Sequence, residues 1–276
     1  MEIKDILLYL EAGSPNASRL AVAAALARDH GAALTAICAC PEPAMDFADG
    51  YVIGPNAVGE ALAHREGAIM RLLEPVEAAF REAAAGACIE AHWTFAPPNE
   101  TPLQLAAQAR LYDLAIAPRP GGADQPGRRL AELVALTSGA PCLVVPEPAP
   151  PPAAFDRVLL AWNGSREAKR ALDDGLLFLR RAERVRLLVM NGEADDPAAG
   201  ETVRRHLARH GGEAEFEHVR LSNEDDGSAL LRQCALFGAD LLVMGAYGHS
   251  RTAELILGGA TRTVLAEARL PVLMSH

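Results

Sequence analysis

One pattern of residues occurs twice in this chain, on either side of a proline-rich segment. Asp5–Ala12 (DILLYLEA) aligns without gaps on Asp156–Asn163 (DRVLLAWN), and both runs continue into Gly-Ser and then a helical pattern. Near the end of each half, DLAIA and APCLVV parallel DLLVM and LPVLMS. Self-similarity over so long a period indicates that a whole domain is repeated.

The proline-rich segment at 146–152 (PEPAPPP) is typical of a stiff linker, because proline favours the extended polyproline II conformation. The sequence therefore predicts an N-terminal domain at 1–147, a linker at 148–154 and a C-terminal domain at 155–276. Domains of this length can each bury a core of their own.

Short apolar runs alternate with helical periodicity in both halves. Strands that are apolar on both faces and alternate with helices of about 10–15 residues indicate a parallel sheet covered on both sides. We therefore predict an α/β fold of two tandem doubly wound domains, each a five-stranded, mostly parallel sheet with helices on both faces. In the second half the predicted strands are Val158–Ala161, Val185–Met190, Ala214–Arg220, Leu241–Met244 and Pro271–Met274.

The first half has an extra segment at 41–63, rich in Gly, Pro and Ala. It is expected to be an ordered loop or cover over one end of the sheet, or a disordered insertion. A net charge of −10 without a basic face argues against a nucleic-acid partner.

The chain shows no secretory signal and no apolar run of the ~18–20 residues that a membrane span needs. Its five cysteines lie mostly in apolar runs. We expect reduced, buried thiols in a cytoplasmic protein with no membrane partner.

Glycines follow the fourth strand of the second half in the spacing Gly-x2-Gly-x9-Gly, at Gly245, Gly248 and Gly258. The first two come directly after a strand, where a Cβ would obstruct the approach of the backbone to a ligand. The segment 258–261 opens a helix, whose free N–H groups and dipole favour an anion. Doubly wound sheets bind ligands at this end of their strands. Together with the Gly164-Ser165 loop after the first strand, the spacing predicts a cradle for a phosphate chain.

The run MGAYGHSRTAELILGGATRTVL, with LLAWNGSREAKRAL earlier in the same half, resembles the universal stress protein family. Nucleotide-binding members of that family show Gly-x2-Gly-x9-Gly-(Ser/Thr). The resemblance covers essentially the whole chain, strongly after residue 155 and weakly before it. It implies an adenine nucleotide, ATP or AMP, as the ligand of the C-terminal domain.

The resemblance also implies which residues hold that nucleotide. Gly245 and Gly248 would flank the ribose and phosphates, residues 258–260 would surround the phosphates, and Met190 or Asn191 would lie beside the adenine. The complete set of expected contacts is Asn163, Gly164, Met190, Asn191, Gly245, Gly248, His249, Ser250, Arg251, Gly258, Gly259, Ala260 and Thr261.

Two residues depart from the family pattern. Asn163 stands where the family carries the aspartate of Asp-Gly-Ser, which removes a carboxylate that could hold Mg²⁺. Gly259 stands where the family carries Ser or Thr, although Thr261 is nearby. Both changes weaken the case for tight MgATP binding and leave the backbone cradle intact.

The first half has lost the glycine spacing. Its counterpart reads Ala117–Gly122 (APRPGG), in which Pro118 and Pro120 remove amide donors. We therefore expect the N-terminal domain to be a structural partner and the chain to bind one nucleotide.

We assign no catalytic and no metal-binding residue, because no nucleophile, base and orienting group can be recognised around His249. His249 either contacts a phosphate or is solvated, and Arg251 either reaches a phosphate or lies on the surface. The leading hypothesis is a cytoplasmic stress-response protein that binds ATP or AMP with slow or no turnover. The alternatives are a protein-interaction module with an empty glycine loop and a weak Mg²⁺-dependent ATP hydrolase.

Each half ends in a short apolar strand, Cys142–Val145 and Val272–Met274. Exposed apolar edges invite pairing with another edge, and the family is known for dimers joined through this strand. We predict either antiparallel pairing of the two strands within one chain, which would make an internal pseudo-dimer, or a homodimer that pairs each strand with its equivalent.

Overall fold

A computed structural model describes residues 2–40, 57–120, 129–148, 155–190, 197–219, 225–247 and 259–276. The elements of the first half are β1 Asp5–Glu11, α1 Ala17–His30, β2 Ala33–Ala39, α2 Ala57–Ala87, β3 Ala91–Ala96, α3 Pro102–Gln108 with a 3-10 turn at Ala109–Leu111, β4 Leu114–Pro118, α4 Leu130–Thr137 and β5 Cys142–Val145. Those of the second half are β6 Arg157–Trp162, α5 Arg166–Leu179, β7 Arg184–Met190, α6 Pro197–Arg209, β8 Glu215–Val219, α7 Asp226–Phe237, β9 Leu241–Gly245, α8 Gly259–Glu267 and β10 Val272–Ser275.

All of these strands belong to one sheet of ten, in the order β3-β2-β1-β4-β5-β10-β9-β6-β7-β8. From the middle outwards, each half has the same order: last strand, fourth, first, second and third. Neighbouring strands within each half are parallel. The predicted α/β fold of two doubly wound, parallel-stranded halves is confirmed. The difference is that the two predicted sheets form one continuous sheet.

Helices cover both faces of this sheet. The helices α1, α2, α5 and α6 pack on one face, and α3, α4, α7 and α8 pack on the other. Strand β1 shows how the sequence produces this arrangement: Leu8 and Leu10 belong to the first core, whereas Leu7 and Tyr9 belong to the second. Because side chains alternate along a strand, a run that is apolar at every position is buried on both sides.

The two halves join through an antiparallel pairing of β5 with β10. Val272 pairs with Val144, Leu273 with Leu143, and Met274 with Cys142. All six side chains are at most 2% exposed. The structure thus has the internal version of the two pairings that the sequence allowed, and neither final strand is an open edge.

The two halves repeat the same local contacts, although in the strands the equivalent residues are one position away from the ungapped sequence alignment, since Ile6 pairs with Leu114 and Val158 with Leu241. Asp113 accepts hydrogen bonds from the backbone N–H groups of Lys4 and Asp5, and Asp240 accepts them from those of Asp156 and Arg157. Gly13 and Gly164, which follow the first strand of each half, have φ values of 78° and 76°. A left-handed turn therefore follows the first strand in both halves, which is where glycine is favoured.

Several details differ from the sequence prediction. Helix α2 begins at Ala57, so residues 57–63 are helical and not a loop, while 41–56 lie outside the described residues. Four of the five cysteines are buried thiols as expected, but Cys88 is exposed. No helix within the described ranges is both long and apolar enough to cross a membrane.

The paired strands β5 and β10, which we call the seam, should make the two halves unfold cooperatively. Leu273→Ala should remove buried contacts shared by both halves and lower the free energy of unfolding by about 2–5 kcal/mol. Urea unfolding followed separately through Trp93 in β3 and Trp162 in β6 should show both transitions moving to lower urea. Leu207→Ala, an equally buried leucine of α6, is the control for a cavity away from the seam. A Trp93 transition that is unchanged in Leu273→Ala would show that the halves unfold independently.

Candidate functional site

The sheet has a switch in strand order between β6 and β9. The chain leaves β6 through α5 on one face and reaches β9 from α7 on the other. Because β6, β7, β9 and β10 are parallel, their carboxyl ends lie at one edge of the sheet. Ligands of doubly wound sheets bind in the crevice at such a switch. Most of the residues singled out by the sequence flank this edge.

The loop after β6 is a tight turn that starts α5. The Asn163 side-chain oxygen accepts a hydrogen bond from the Ser165 backbone N–H at 3.1 Å, and Gly164 is left-handed. The Ser165 hydroxyl then accepts from the Ala168 N–H at 3.1 Å and caps the helix. This loop presents a fixed backbone, and the asparagine oxygen stabilises the turn itself.

Gly245 is the last residue of β9, and it lies against the first turn of α5. A Cβ at this position would be 2.5 Å from the Ala168 nitrogen and 2.5 Å from the Glu167 carbonyl carbon. The glycine spacing predicts that this residue makes room for a ligand. In the structure it makes room for a helix, because any larger residue would push α5 away from the sheet.

The turn that leaves β9 is tied to the start of α8. Tyr247, with a φ of 63°, donates its backbone N–H to the Thr261 hydroxyl oxygen at 3.3 Å. Thr261 is buried, so its hydroxyl supports the turn. Burial and the nearby Glu132 carboxylate of α4 raise the pKa of Tyr247, whose buried hydroxyl oxygen has no hydrogen-bond partner within the described ranges. The tyrosine thus lies within electrostatic reach of the N-terminal half.

Helix α8 spans Gly259–Glu267, so the described part of the predicted segment 258–261 is helical, while Gly258 lies outside the described residues. The starts of α7 and α8 are in close contact, since a Cβ on Gly227 would lie 2.7 Å from the Ala260 carbonyl oxygen. This packing fixes the direction in which the first amides of α8 point.

A carboxylate that the glycine motif does not indicate, that of Asp225, lies beside this helix start. Asp225 caps α7 by accepting from the Ser228 N–H at 3.1 Å, and one of its oxygens is 3.5 Å from where a Cβ on Gly259 would lie. Burial alone would raise the pKa of Asp225, but hydrogen bonds from Ser228, Thr263 and Gly227 lower it overall. The run Asp225–Ser228 before an apolar helix is an N-cap signal that the sequence already contained.

The structure does not describe every predicted contact residue. Met190 is the last residue of β7 and pairs with Val219 of β8. The remaining expected contacts lie outside the described residues; they are Asn191, Gly248, His249, Ser250, Arg251 and Gly258. Within the ranges that can be described, no three His, Cys, Asp or Glu side chains are grouped so that they could hold a metal ion.

The corresponding segment of the first half makes a contact across the seam. After β4 ends at Pro118, the Arg119 guanidinium donates to the Ala266 carbonyl oxygen in the last turn of α8. A cation at the carboxyl end of a helix is favourable, because it satisfies a free carbonyl and the helix dipole. The N-terminal half therefore stabilises the helix whose other end is the candidate anion site.

Comparisons with known proteins agree on one family. A model described as the universal stress protein family matches residues 154–276. A universal stress protein of Thermus aquaticus is 33% identical over 136 residues, which are 44% of this chain and 98% of that protein. One of Synechocystis is 31% identical over 137 residues, which are 48% of this chain and 46% of that protein, so the match spans less than half of the longer relative.

Solved structures show the same fold over the whole chain. A universal stress protein from Archaeoglobus fulgidus has a TM-score of 0.72 and covers 98% of this chain and 97% of its own, at 16% sequence identity. At that identity the likeness concerns the fold alone.

Gly245 yields a prediction that separates packing from ligand contact. Gly245→Ala should lower the free energy of unfolding by about 1–3 kcal/mol without any ligand, because its Cβ displaces the first turn of α5. Gly67→Ala in α2, where a Cβ meets nothing within 4 Å, is the matched control and should be neutral or stabilising. Urea denaturation of both variants in nucleotide-free protein measures this. Equal stability of Gly245→Ala and the wild type would contradict the packing role.

Proposed function

We propose that this chain, which belongs to the universal stress protein family, binds an adenine nucleotide, ATP or AMP, in its C-terminal half, with slow or absent turnover. The observation that supports the proposal is the hydrogen bond from the Tyr247 N–H to the Thr261 hydroxyl oxygen, which holds the first turn of α8 beside the end of β9. Both lie at the carboxyl ends of the strands, where the strand order switches. Free amides at a helix start, next to a switch in strand order, are a common way to bind phosphate.

In this proposal the first turn of α8, residues 259–261, and the preceding Gly258 bind the phosphates through backbone amides. Gly248 and the backbone of Gly245 flank the ribose and phosphates, while the missing side chain of Gly245 makes room for α5 and not for the ligand. Met190 or Asn191 lies beside the adenine, and the Asn163–Gly164 turn closes the other side. The segment 249–251 supplies the polar side chains of the cradle.

Two carboxylate considerations favour binding over hydrolysis. Asn163 is neutral, and its oxygen already accepts from the Ser165 amide. Asp225 lies beside α8, but its oxygens accept hydrogen bonds from the starts of α7 and α8. Phosphoryl transfer needs ion ligands and a positioned base. If Mg²⁺ accompanies the nucleotide, we expect Asp225 to be the nearest carboxylate to it.

Asp225 also favours a second candidate function. A carboxylate beside the helix start repels an approaching phosphate, which would suit an interaction module with an empty glycine loop. The same tests separate the two functions.

We further propose that the protein is located in the cytoplasm. We also propose that any homodimer uses a surface other than the final strands, because these strands are already paired with each other.

The first prediction from this proposal concerns stoichiometry. Calorimetric titration of the nucleotide-free chain with ATP and AMP should give one site per chain, because only the second half keeps the glycine spacing. Chromatography of the nucleotide released by denaturing freshly purified protein identifies the ligand. Two equivalent sites would contradict binding in the second half alone. If neither nucleotide binds, the function as a protein-interaction module is supported instead. Mg²⁺-dependent release of phosphate from ATP would instead support the hydrolase.

The second prediction tests the cradle. Gly259→Val should weaken nucleotide binding about tenfold or more, because the side chain would cover the first amides of α8. The fold should survive, since the one described atom that a Cβ at Gly259 would approach within 4 Å is an Asp225 oxygen, at 3.5 Å. Gly67→Val in α2 is the control with the same change at an open position. Affinity equal to that of the wild type in Gly259→Val would show that the nucleotide binds elsewhere.

A further inference from the structure

Helix α1 has no capping side chain of its own at its start. Asn16 occupies the N-cap position, but its side chain is turned back towards β1. There it accepts from the Glu11 backbone N–H at 3.1 Å and donates to the Glu11 carbonyl oxygen at 2.9 Å. The first amides of α1 therefore need an acceptor from elsewhere.

The acceptor is Glu147, which lies two residues beyond β5. One of its carboxylate oxygens accepts from the Ser18 N–H at 3.1 Å, and the other accepts from the Arg19 N–H at 3.0 Å. Two successive amides thus bind one carboxylate, one oxygen each. Free amides at the start of a helix bind anions in this way, and α1 has 14 residues.

Arg19 places a buried positive charge at the same site. Its side chain is only 3% exposed, and its guanidinium donates to the Pro15 carbonyl oxygen and the Asn16 side-chain oxygen. Among the described residues, the guanidinium Nε has no hydrogen-bond partner. Burial lowers the pKa of Arg19, while the carboxylates of Glu11 and Glu147 raise it. An enclosed cation of this kind is stabilised by nearby anions: the guanidinium forms an ion pair with Glu11 at 3.7 Å, and the Glu147 carboxylate acts on it electrostatically.

The first helix of the other half is built differently. Helix α5 is capped locally by the Ser165 hydroxyl, which accepts from Ala168. Of these two equivalent helices, α1 relies on a carboxylate from a distant part of the chain and α5 does not. Because β5 and β10 are antiparallel, this site and the candidate nucleotide site lie at opposite edges of the sheet.

We propose that the first turn of α1, together with Arg19, is an oxyanion-binding site that the chain fills with its own Glu147 carboxylate. When Glu147 is removed, the site accepts a free carboxylate or phosphate in its place. While Glu147 is present, the site is closed to external anions. The proposal does not depend on nucleotide binding in the second half.

Chemical rescue tests the site directly. Glu147→Ala should lower the thermal midpoint, and acetate or inorganic phosphate should raise it again by about 2–4 °C more than chloride at equal ionic strength. The wild type and Glu82→Ala, which loses an exposed glutamate of α2, should lack this additional rise and respond to oxyanions only through sites that all three proteins share. Any phosphate that binds in the second half is present in all three proteins and is removed by the comparison. A rise in Glu147→Ala no larger than in the wild type overturns the proposal.

Amide resonances locate the anion. Addition of phosphate to Glu147→Ala should shift the backbone amides of Ser18 and Arg19 and leave those of residues 259–261 as they are in the wild type. If Glu147→Ala does not fold, Glu147→Ser, whose short side chain also leaves the two amides open, should show the same two shifts. Unmoved Ser18 and Arg19 amides in the variant that folds would mean that the site binds no free oxyanion and that Glu147 is only a helix cap.

Discussion

The antiparallel pairing of β5 with β10 joins the two halves into one sheet and sets how they are oriented relative to each other. Val144, Leu143 and Cys142 meet Val272, Leu273 and Met274 across the seam, and none of these side chains is more than 2% exposed. Either strand alone would be an apolar edge that is prone to associate with other chains. Their pairing removes both edges and makes one sheet from two. It also turns the halves in opposite directions, so that the carboxyl ends of their parallel strands lie on opposite sides of the molecule.

This arrangement allows two halves of one fold to have different roles. In the first half the start of α1 holds Glu147, and Arg119 reaches across the seam to the end of α8. In the second half the start of α8 is joined to the end of β9 by Tyr247 and Thr261. The N-terminal half thus uses its polar groups for internal contacts, and one of these contacts stabilises the helix on which the proposed nucleotide site depends. An asymmetric pair of this kind gives a reason to keep a half that has lost its glycine spacing.

Local patterns in the sequence were sufficient for most of the fold, because strand alternation, helix periodicity and the repeated Asp-apolar runs depend on near neighbours. They predicted the doubly wound halves, the helix start at residues 259–261 and the pairing of the final strands. Three features could not be read in this way. The cap that Glu147 provides to α1 joins residues 128 and 129 positions apart. The contact of Gly245 with α5 depends on the distance between helix and sheet, and the glycine spacing alone suggested a ligand instead. Asp225 had a recognisable capping pattern, but its position beside Gly259 follows from the packing of α7 against α8.

The central claim is that one edge of the sheet is open to a nucleotide while the other is closed by the chain itself. Hydrogen exchange of the backbone amides, measured with and without ATP or AMP, tests both parts at once. The account predicts slower exchange on nucleotide addition in the segments around 163–168 and 245–261, and unchanged exchange at Ser18, Arg19 and the segment 114–120. Slower exchange at both edges, or at the first half alone, would contradict it.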